Sequence, residues 1–425
     1  MTIQLMTLDP GHFHAALVQK EMYPGVAARA HIYAPLGPDL IAHLNRIAGF
    51  NLRAGAPTAW EVEVHAEDRF LERMLKERPG NVVVLSGRNR RKIDYLLAAV
   101  QSGLHVLADK PWVIRSADLG KLQQALDEAD KKGLVALDIM TERHEITSIL
   151  QRLLVNDRAV FGTIVPGDEK TPAVFMESVH YLRKQVAGVP LRRPPWFFDI
   201  HEQGEALSDV GTHLVDLAMW IVYPEQAIDH AADVKLLSAR RWPTELTRGQ
   251  FSDVTGESDF SPFLADAIQN GRLPYFCNNF VAYTLRGIHV QLNVLWDYQA
   301  DAGGGDTHLA VVRGSQARVE VRQGREENFR PELYVVPNDS ATVGSIAAAV
   351  TKAVAGHPGV TVEIQGERLW VRIPDQYRVG HEAHFAEVTR EFLAYHADRS
   401  KLPKWEKPNM LAKYHVSTAG VELAR

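Results

Sequence analysis

The chain has 425 residues, of which 46% are hydrophobic and 23% charged, and its formal net charge is −5 at pH 7. That length exceeds what one typical core needs, so two domains are expected. The mildly acidic balance offers no bulk attraction to nucleic acid or to an anionic membrane, and a single cysteine, Cys277, excludes an intramolecular disulfide.

In chain order, Ile3–Leu8 is a short apolar run that ends in Asp9-Pro10-Gly11, and the pattern turns helical from His12 to Met22. Ala30–Tyr33 reads as a second strand. Val82–Leu85 is a buried-strand run, followed by helical spacing through Ile93, Leu96, Leu97 and Val100 that Gly103 stops. His105–Ala108 is the next strand. Asp118–Lys131 is helical, with Leu119, Leu122 and Leu126 on one face and Gly133 closing it, and Leu134–Ile139 is again a strand. This alternation predicts a doubly wound parallel sheet of Rossmann type over residues 1–140.

The texture changes after about Leu150. Val290, Leu292, Val294 and Trp296 alternate with outward positions, as do Ala317, Val319 and Val321 with Arg318, Glu320 and Arg322, and so do Val360, Val362 and Ile364. Gly314 and Gly366 fall where hairpin turns belong. Helical stretches interrupt at Ser208–Val222, Ser345–Ala355 and Gly380–Tyr395. Residues 141–425 therefore read as an α+β domain on a large, mainly antiparallel sheet, with the polar stretch Arg241–Pro262 as a mobile insertion.

Three places carry chemistry. The first is the βα turn Asp9-Pro10-Gly11-His12-Phe13-His14, where a strand, a glycine turn and a helix start can present free N–H groups to a pyrophosphate. Only Gly11 sits in a G-x-G-x-x-G frame, so the turn also suits an ordinary βα connection. The second is Asp109-Lys110-Pro111, at the carboxyl end of a strand, where a lysine can stabilise charge on a substrate oxygen or simply occupy a surface turn. The third is Asp209-Val210-Gly211-Thr212-His213, preceded by Ser208 as candidate N-cap. Four-residue spacing puts Asp209 and His213 on one helical face, where a carboxylate would tune an acid–base imidazole or merely satisfy a buried one.

Order and spacing of these three pieces resemble the glucose–fructose oxidoreductase/inositol dehydrogenase (Gfo/Idh/MocA) family over most of the chain, in a divergent branch. The resemblance implies an NAD(P)-dependent oxidoreductase acting on a secondary alcohol of a sugar, glycoside or cyclitol. Lys110, His213 and Asp209 would be catalytic. NAD, with NADP as the alternative, would meet Gly11, His12, Phe13, His14, Tyr33, Ala34, Ser86, Asn89, Asp109 and Lys110. The sugar would meet Lys110, His180, Arg183, Trp196, Asp209 and His213, and the Lys110–Pro111 bond would be cis. Two features depart from the family: the glycine fingerprint is degraded, and strand two ends Tyr33-Ala34-Pro35 with no acid for the adenosine ribose. A glycosidase or lyase that oxidises its substrate transiently, and a redox-inactive sugar-binding protein, are the competing functions.

The remaining polar clusters point elsewhere. His381-Glu382-Ala383-His384 spaces its histidines three apart rather than the four of a zinc helix, and reads as a solvated helix start. No metal is expected. Gly303–His308 lacks the lysine of a P-loop and reads as a turn. A homodimer or homotetramer built on the antiparallel sheet is expected. The N-terminus has no basic region before an apolar stretch, so the cytoplasm is the expected location.

Overall fold

The computed structural model describes residues 2–186 and 189–425. The first part runs β1 (Leu5–Leu8), α1 (His14–Leu17), β2 (Arg29–Ala34), α2 (Pro38–Leu52), β3 (Glu61–Ala66) and α3 (Phe70–Glu77). It continues through β4 (Val82–Leu85), α4 (Lys92–Gln101), β5 (His105–Asp109), α5 (Leu119–Lys132) and β6 (Ala136–Ile139). Its six strands pair in parallel in the order β3-β2-β1-β4-β5-β6. Strand order reverses between β1 and β4, so the loops after these two strands frame the crevice where such sheets take ligands. Val82–Leu85 is apolar throughout because helices cover both faces of a parallel sheet.

α1 is shorter than the apolar pattern predicts. After Leu17 the chain tightens, with Gln19 and Lys20 bonding three residues back, and their carbonyls are taken by other groups. Trp60 donates its indole N–H to the Gln19 carbonyl and Arg53 donates to that of Lys20, both at 2.7 Å. Those acceptors are thereby spent on tertiary partners instead of a longer helix.

The second part comprises α6 (Ile146–Val155), β7 (Val174–Tyr181), the two-residue strands β8 (Gln185–Val186) and β9 (Val189–Pro190), α7 (Val210–Val222), β10 (Val234–Thr247) and α8 (Arg248–Thr255). Then follow β11 (Arg272–Leu285), β12 (Ile288–Asp297), β13 (Thr307–Arg313), β14 (Ala317–Gln323), β15 (Glu332–Pro337), α9 (Val343–Ala353), β16 (Thr361–Gln365) and β17 (Arg368–Arg372). Nine strands form one sheet, β10-β11-β12-β7-β13-β14-β15-β17-β16, antiparallel except where β12 meets β7. α6 and α7 pack on its apolar face.

Residues 241–262 are not a mobile insertion. Trp242 and Thr244 continue β10 against β11, and Thr247 caps α8 in a reciprocal box with Gln250. Their polarity belongs to an edge strand and a half-exposed helix. The last two helices, α10 (His381–Ala397) and α11 (Glu406–Leu423), return to the first sheet. Phe385, Val388 and Phe392 join the core under Leu5 and Val82, and Met410, Leu411 and Tyr414 join the one under Val83 and Val106. α11 also reaches the second core through Ala412, Val416 and Val421. Among the described residues, no helix is long and apolar enough to cross a membrane.

Candidate functional site

β5 delivers Asp109 and Lys110 to the carboxyl edge of the parallel sheet, and the Lys110–Pro111 bond is cis. Lys110 donates from Nζ to the Asp209 carboxylate across the junction between the two parts. Gln203 donates to the other Asp209 oxygen at 3.0 Å. Burial opposes the charge on Lys110, but Asp209 and then Asp109 outweigh it and raise its pKa. Asp209 itself stands at the N-cap of α7, in place of the expected Ser208. Its side chain caps nothing, being committed to Lys110 and Gln203.

His213 lies one turn into α7, buried, and its Nδ1 has no hydrogen-bond partner. Burial and then the Lys110 ammonium push its pKa down to about 3. This corrects the expectation that Asp209 tunes the imidazole: the carboxylate is drawn to the lysine, so the neighbouring charge felt most by the ring is a cation.

A set of residues invisible in the sequence joins this centre. Glu142, in the turn Thr141–His144 after β6, faces His381 at 3.5 Å and lies within electrostatic reach of His213 and His308. Burial opposes its ionisation, but these histidines together hold the carboxyl well below the usual range. The start of α10 is solvated at His381 and Glu382, as expected, but His384 is buried and neither of its ring nitrogens has a hydrogen-bond partner. Lys92 is buried too, donating to Asn89 Oδ1 at 2.7 Å and to the Asp109 carbonyl at 2.9 Å. Nothing in a lone lysine at a helix start signals that position.

The other expected residues divide. Ser86 donates to Asp109 at 3.0 Å, and Asn89 donates to the Gln203 carbonyl at 2.7 Å, so both line the junction. His180 faces Ser178 and Asp306, at 2.8 and 3.2 Å, beside Trp296. Arg183 points outward to Gln299. Trp196 packs against Gly11 and donates its indole N–H to Asp39 at 3.0 Å. Tyr33 is wholly buried: its ring stacks on His65 and its hydroxyl donates to Glu77, so only its carbonyl, accepting from Asp9 N–H, reaches the turn. The buried Ala34 ends the same strand. Neither offers a side chain to a ligand at the turn.

The βα turn is also not the expected cradle. Gly11 N–H bonds to Asp9, His12 N–H to Ser86, and the N–H groups of Ala15 and Ala16 to His12 and Phe13. His14 N–H reaches His12 Nδ1 at 3.4 Å. Asp9 adopts a left-handed conformation, φ +48, and burial raises its carboxyl to about 6. Gly87 lets the two loops close on each other, since a Cβ there would overlap the Asp9 carbonyl. The residues therefore fit a nicotinamide and an alcohol at the reacting end, where His213 Nδ1 is an orphaned buried polar atom. At the other end, these N–H groups are already satisfied.

A parallel sheet in this strand order, joined to a large mainly antiparallel sheet, is the fold of the Gfo/Idh/MocA type, here with lysine, aspartate and histidine at the junction. Residues 150–425 match the family model described as "Putative oxidoreductase C terminal domain", and the chain belongs to that oxidoreductase family. A putative oxidoreductase from Parabacteroides merdae is 44% identical, with TM-score 0.96 over 99% of this chain and 97% of that one. GenD2 from gentamicin A biosynthesis, solved with NAD, shares 16% identity and TM-score 0.59 over 100% and 94% of the two chains. Levoglucosan dehydrogenase, solved with NADH and L-sorbose, shares 13% and TM-score 0.61 over 100% and 97%. These two likenesses are of fold. No curated protein matches the chain.

Proposed function

We propose that the protein is an NAD(P)-dependent oxidoreductase that interconverts a secondary alcohol of a sugar, glycoside or cyclitol and the corresponding ketone. The observation that carries this reading is the unpartnered Nδ1 of buried His213, within electrostatic reach of an ammonium group held by Asp209. Such a pair serves one oxygen from two sides. Lys110 donates to the reacting oxygen and stabilises the charge that develops there. His213, neutral in the free site, takes the hydroxyl proton and returns it in the reverse direction. Asp209 keeps Lys110 charged and oriented. A bound nicotinamide supplies the hydride acceptor or donor. Ser86, Asn89, Asp109 and Lys110 are the residues to hold that end of it, with the turn Gly11–His14 towards its phosphates. His180 and Trp196 extend the wall towards the sugar. The fold's occurrence in proteins solved with NAD and NADH supports the cofactor class.

The test is mass spectrometry of the purified protein for a retained dinucleotide, with NAD and NADP titrations followed by thermal unfolding. A ligand at a hundredfold excess over its dissociation constant stabilises by about 2.7 kcal/mol. Absorbance of the reduced nicotinamide over a panel of sugars and glycosides then gives the substrate. A protein that neither retains nor is stabilised by either dinucleotide is not this enzyme.

A further inference from the structure

The turn after β1 is poor in free N–H donors and rich in side-chain ligands. One ring nitrogen each of His12 and His14 and one Asp109 carboxylate oxygen all lie within 4.8 Å of one another. Asp109 Oδ2 stands 3.8 Å from His12 Nδ1 and 2.9 Å from His14 Nδ1. Nitrogen and oxygen ligands at ordinary zinc bond lengths stand about 3.3 Å apart around a tetrahedral ion. The two separations straddle that value; the shorter is a His14–Asp109 hydrogen bond, whose proton a bound cation would replace.

Lys110 is directed to Asp209 and Lys92 to carbonyl oxygens, so neither ammonium is hydrogen-bonded to the Asp109 carboxylate. An outer layer is present as well: Ser86 donates to Asp109 Oδ2 at 3.0 Å, and the Phe385 ring packs 4.6 Å from that of His14.

We infer that His12, His14 and Asp109 form a site for one divalent transition-metal ion, zinc or a cation of similar preference. Three protein ligands leave a coordination position free, the arrangement of an ion that binds an exogenous oxygen. His12 is the most solvent-accessible of the three, its side chain 23% exposed. The site shares Asp109 and the Gly11–His14 turn with the dinucleotide of the proposed function, and it is tested with no dinucleotide present.

The full-length protein is first analysed as purified for zinc, manganese, iron, cobalt and nickel by plasma mass spectrometry. It is then stripped with chelator and titrated with Co²⁺ alone, with no dinucleotide present, following the visible ligand-field absorption and the heat of binding. One equivalent of tightly bound Co²⁺, displaced by Zn²⁺, is expected. His12→Gln should weaken it by at least about tenfold, since even outer-layer changes cost that much. His65→Gln, in the separate His31–Glu63–His65 cluster, should leave it unchanged. Crystals of the parent soaked in Co²⁺ give a readout that needs no variant: an anomalous peak between His12, His14 and Asp109. Absence of saturable binding, or a peak or affinity loss confined to the His65 cluster, overturns the assignment. Dinucleotide titrations of the stripped protein are scored separately, so either reading can fail alone.

Discussion

The indole N–H of Trp196 donates to the Asp39 carboxylate at 3.0 Å, and this bond ties a loop of the second part to the first helix after β2. The ring also packs on Gly11 and lies under the Arg88 guanidinium, 5.7 Å from the ring centroid. It thus holds the mouth of the crevice from outside the parallel sheet.

Trp196→Ala should therefore destabilise the protein by about 3–5 kcal/mol, the usual result of emptying a buried aromatic position. Trp196→Phe keeps most of the packing and loses the bond to a charged acceptor, at a smaller cost of about 1.5–3 kcal/mol. Chemical denaturation of both variants measures the ratio. Equal losses would mean that the bond, not the ring, sets the contact.

Removing the reacting pair should separate binding from chemistry. His213→Ala should lower kcat by about 10²–10⁴-fold while dinucleotide binding persists. Lys110→Ala should be at least as damaging, because water cannot replace a fixed cation in a closed site. Steady-state kinetics decide it: variants within about threefold of the parent, inside the smallest effect expected of a proton-transfer group, would remove both residues from the mechanism.

Asp209→Asn tests the lysine's charge. Asp209 is the foremost of the carboxylates that raise the Lys110 pKa against burial, so deleting its charge lowers that pKa. Activity that needs the ammonium form then fails earlier on the alkaline side. The kcat profile of Asp209→Asn should show its alkaline limb displaced to lower pH than in the parent. An unmoved limb with reduced kcat would indicate that Asp209 contacts the substrate instead.

Acid should weaken the fold through neutral buried histidines. His43, His213 and His308 are held near 4, 3 and 4, mainly by burial. Below about pH 6.5 the unfolded chain takes up protons at these positions and the native protein does not. Stability is therefore complete above that pH and is lost as pH falls towards the native values. Each histidine adds a slope of about 1.4 kcal/mol per pH unit over its window. Urea denaturation between pH 7.5 and 5 measures the sum, and His43→Gln should flatten the slope.

Lys413 is fully buried between Asp138, at 3.0 Å, and Asp216, at 3.1 Å. Arg143 completes the set by pairing with Asp216 and Glu406. Lys413→Met leaves Asp138 without its cation and should cost about 3–5 kcal/mol. Replacing Lys413 and Asp138 together by apolar residues should recover part of that loss, measured by the same denaturation.

What the sequence disclosed follows the physics of each signal. Val82–Leu85 and the Val290–Trp296 alternation were legible because period and burial coincide there. Lys110, Asp209 and His213 were legible as motif and spacing, but the partner of Asp209 was not: a four-residue helical interval places two side chains on a face without deciding which third group competes for one of them. β3 was missed because its outer positions are exposed at the sheet's edge. α11 was missed because Asn409, Lys413, Ser417 and Thr418 are polar and yet buried: Asn409 and Lys413 find their partners far along the chain, while Ser417 and Thr418 donate back to the Tyr414 carbonyl of the same helix. Glu142, His308 and His381 meet for the same reason, and no local pattern announces them.

The placement of Lys413 has a consequence for the first sheet made alone. Asp138 ends the parallel sheet and Asp216 lies in the middle of α7, yet the ammonium group between them comes from the final helix. Before that helix docks, Asp138 lacks its cation in an apolar interior, Asp216 keeps only Arg143, and the sheet lacks Met410, Leu411 and Tyr414 beneath it. Residues 1–140 made alone should therefore be less stable than the same sheet in the whole chain.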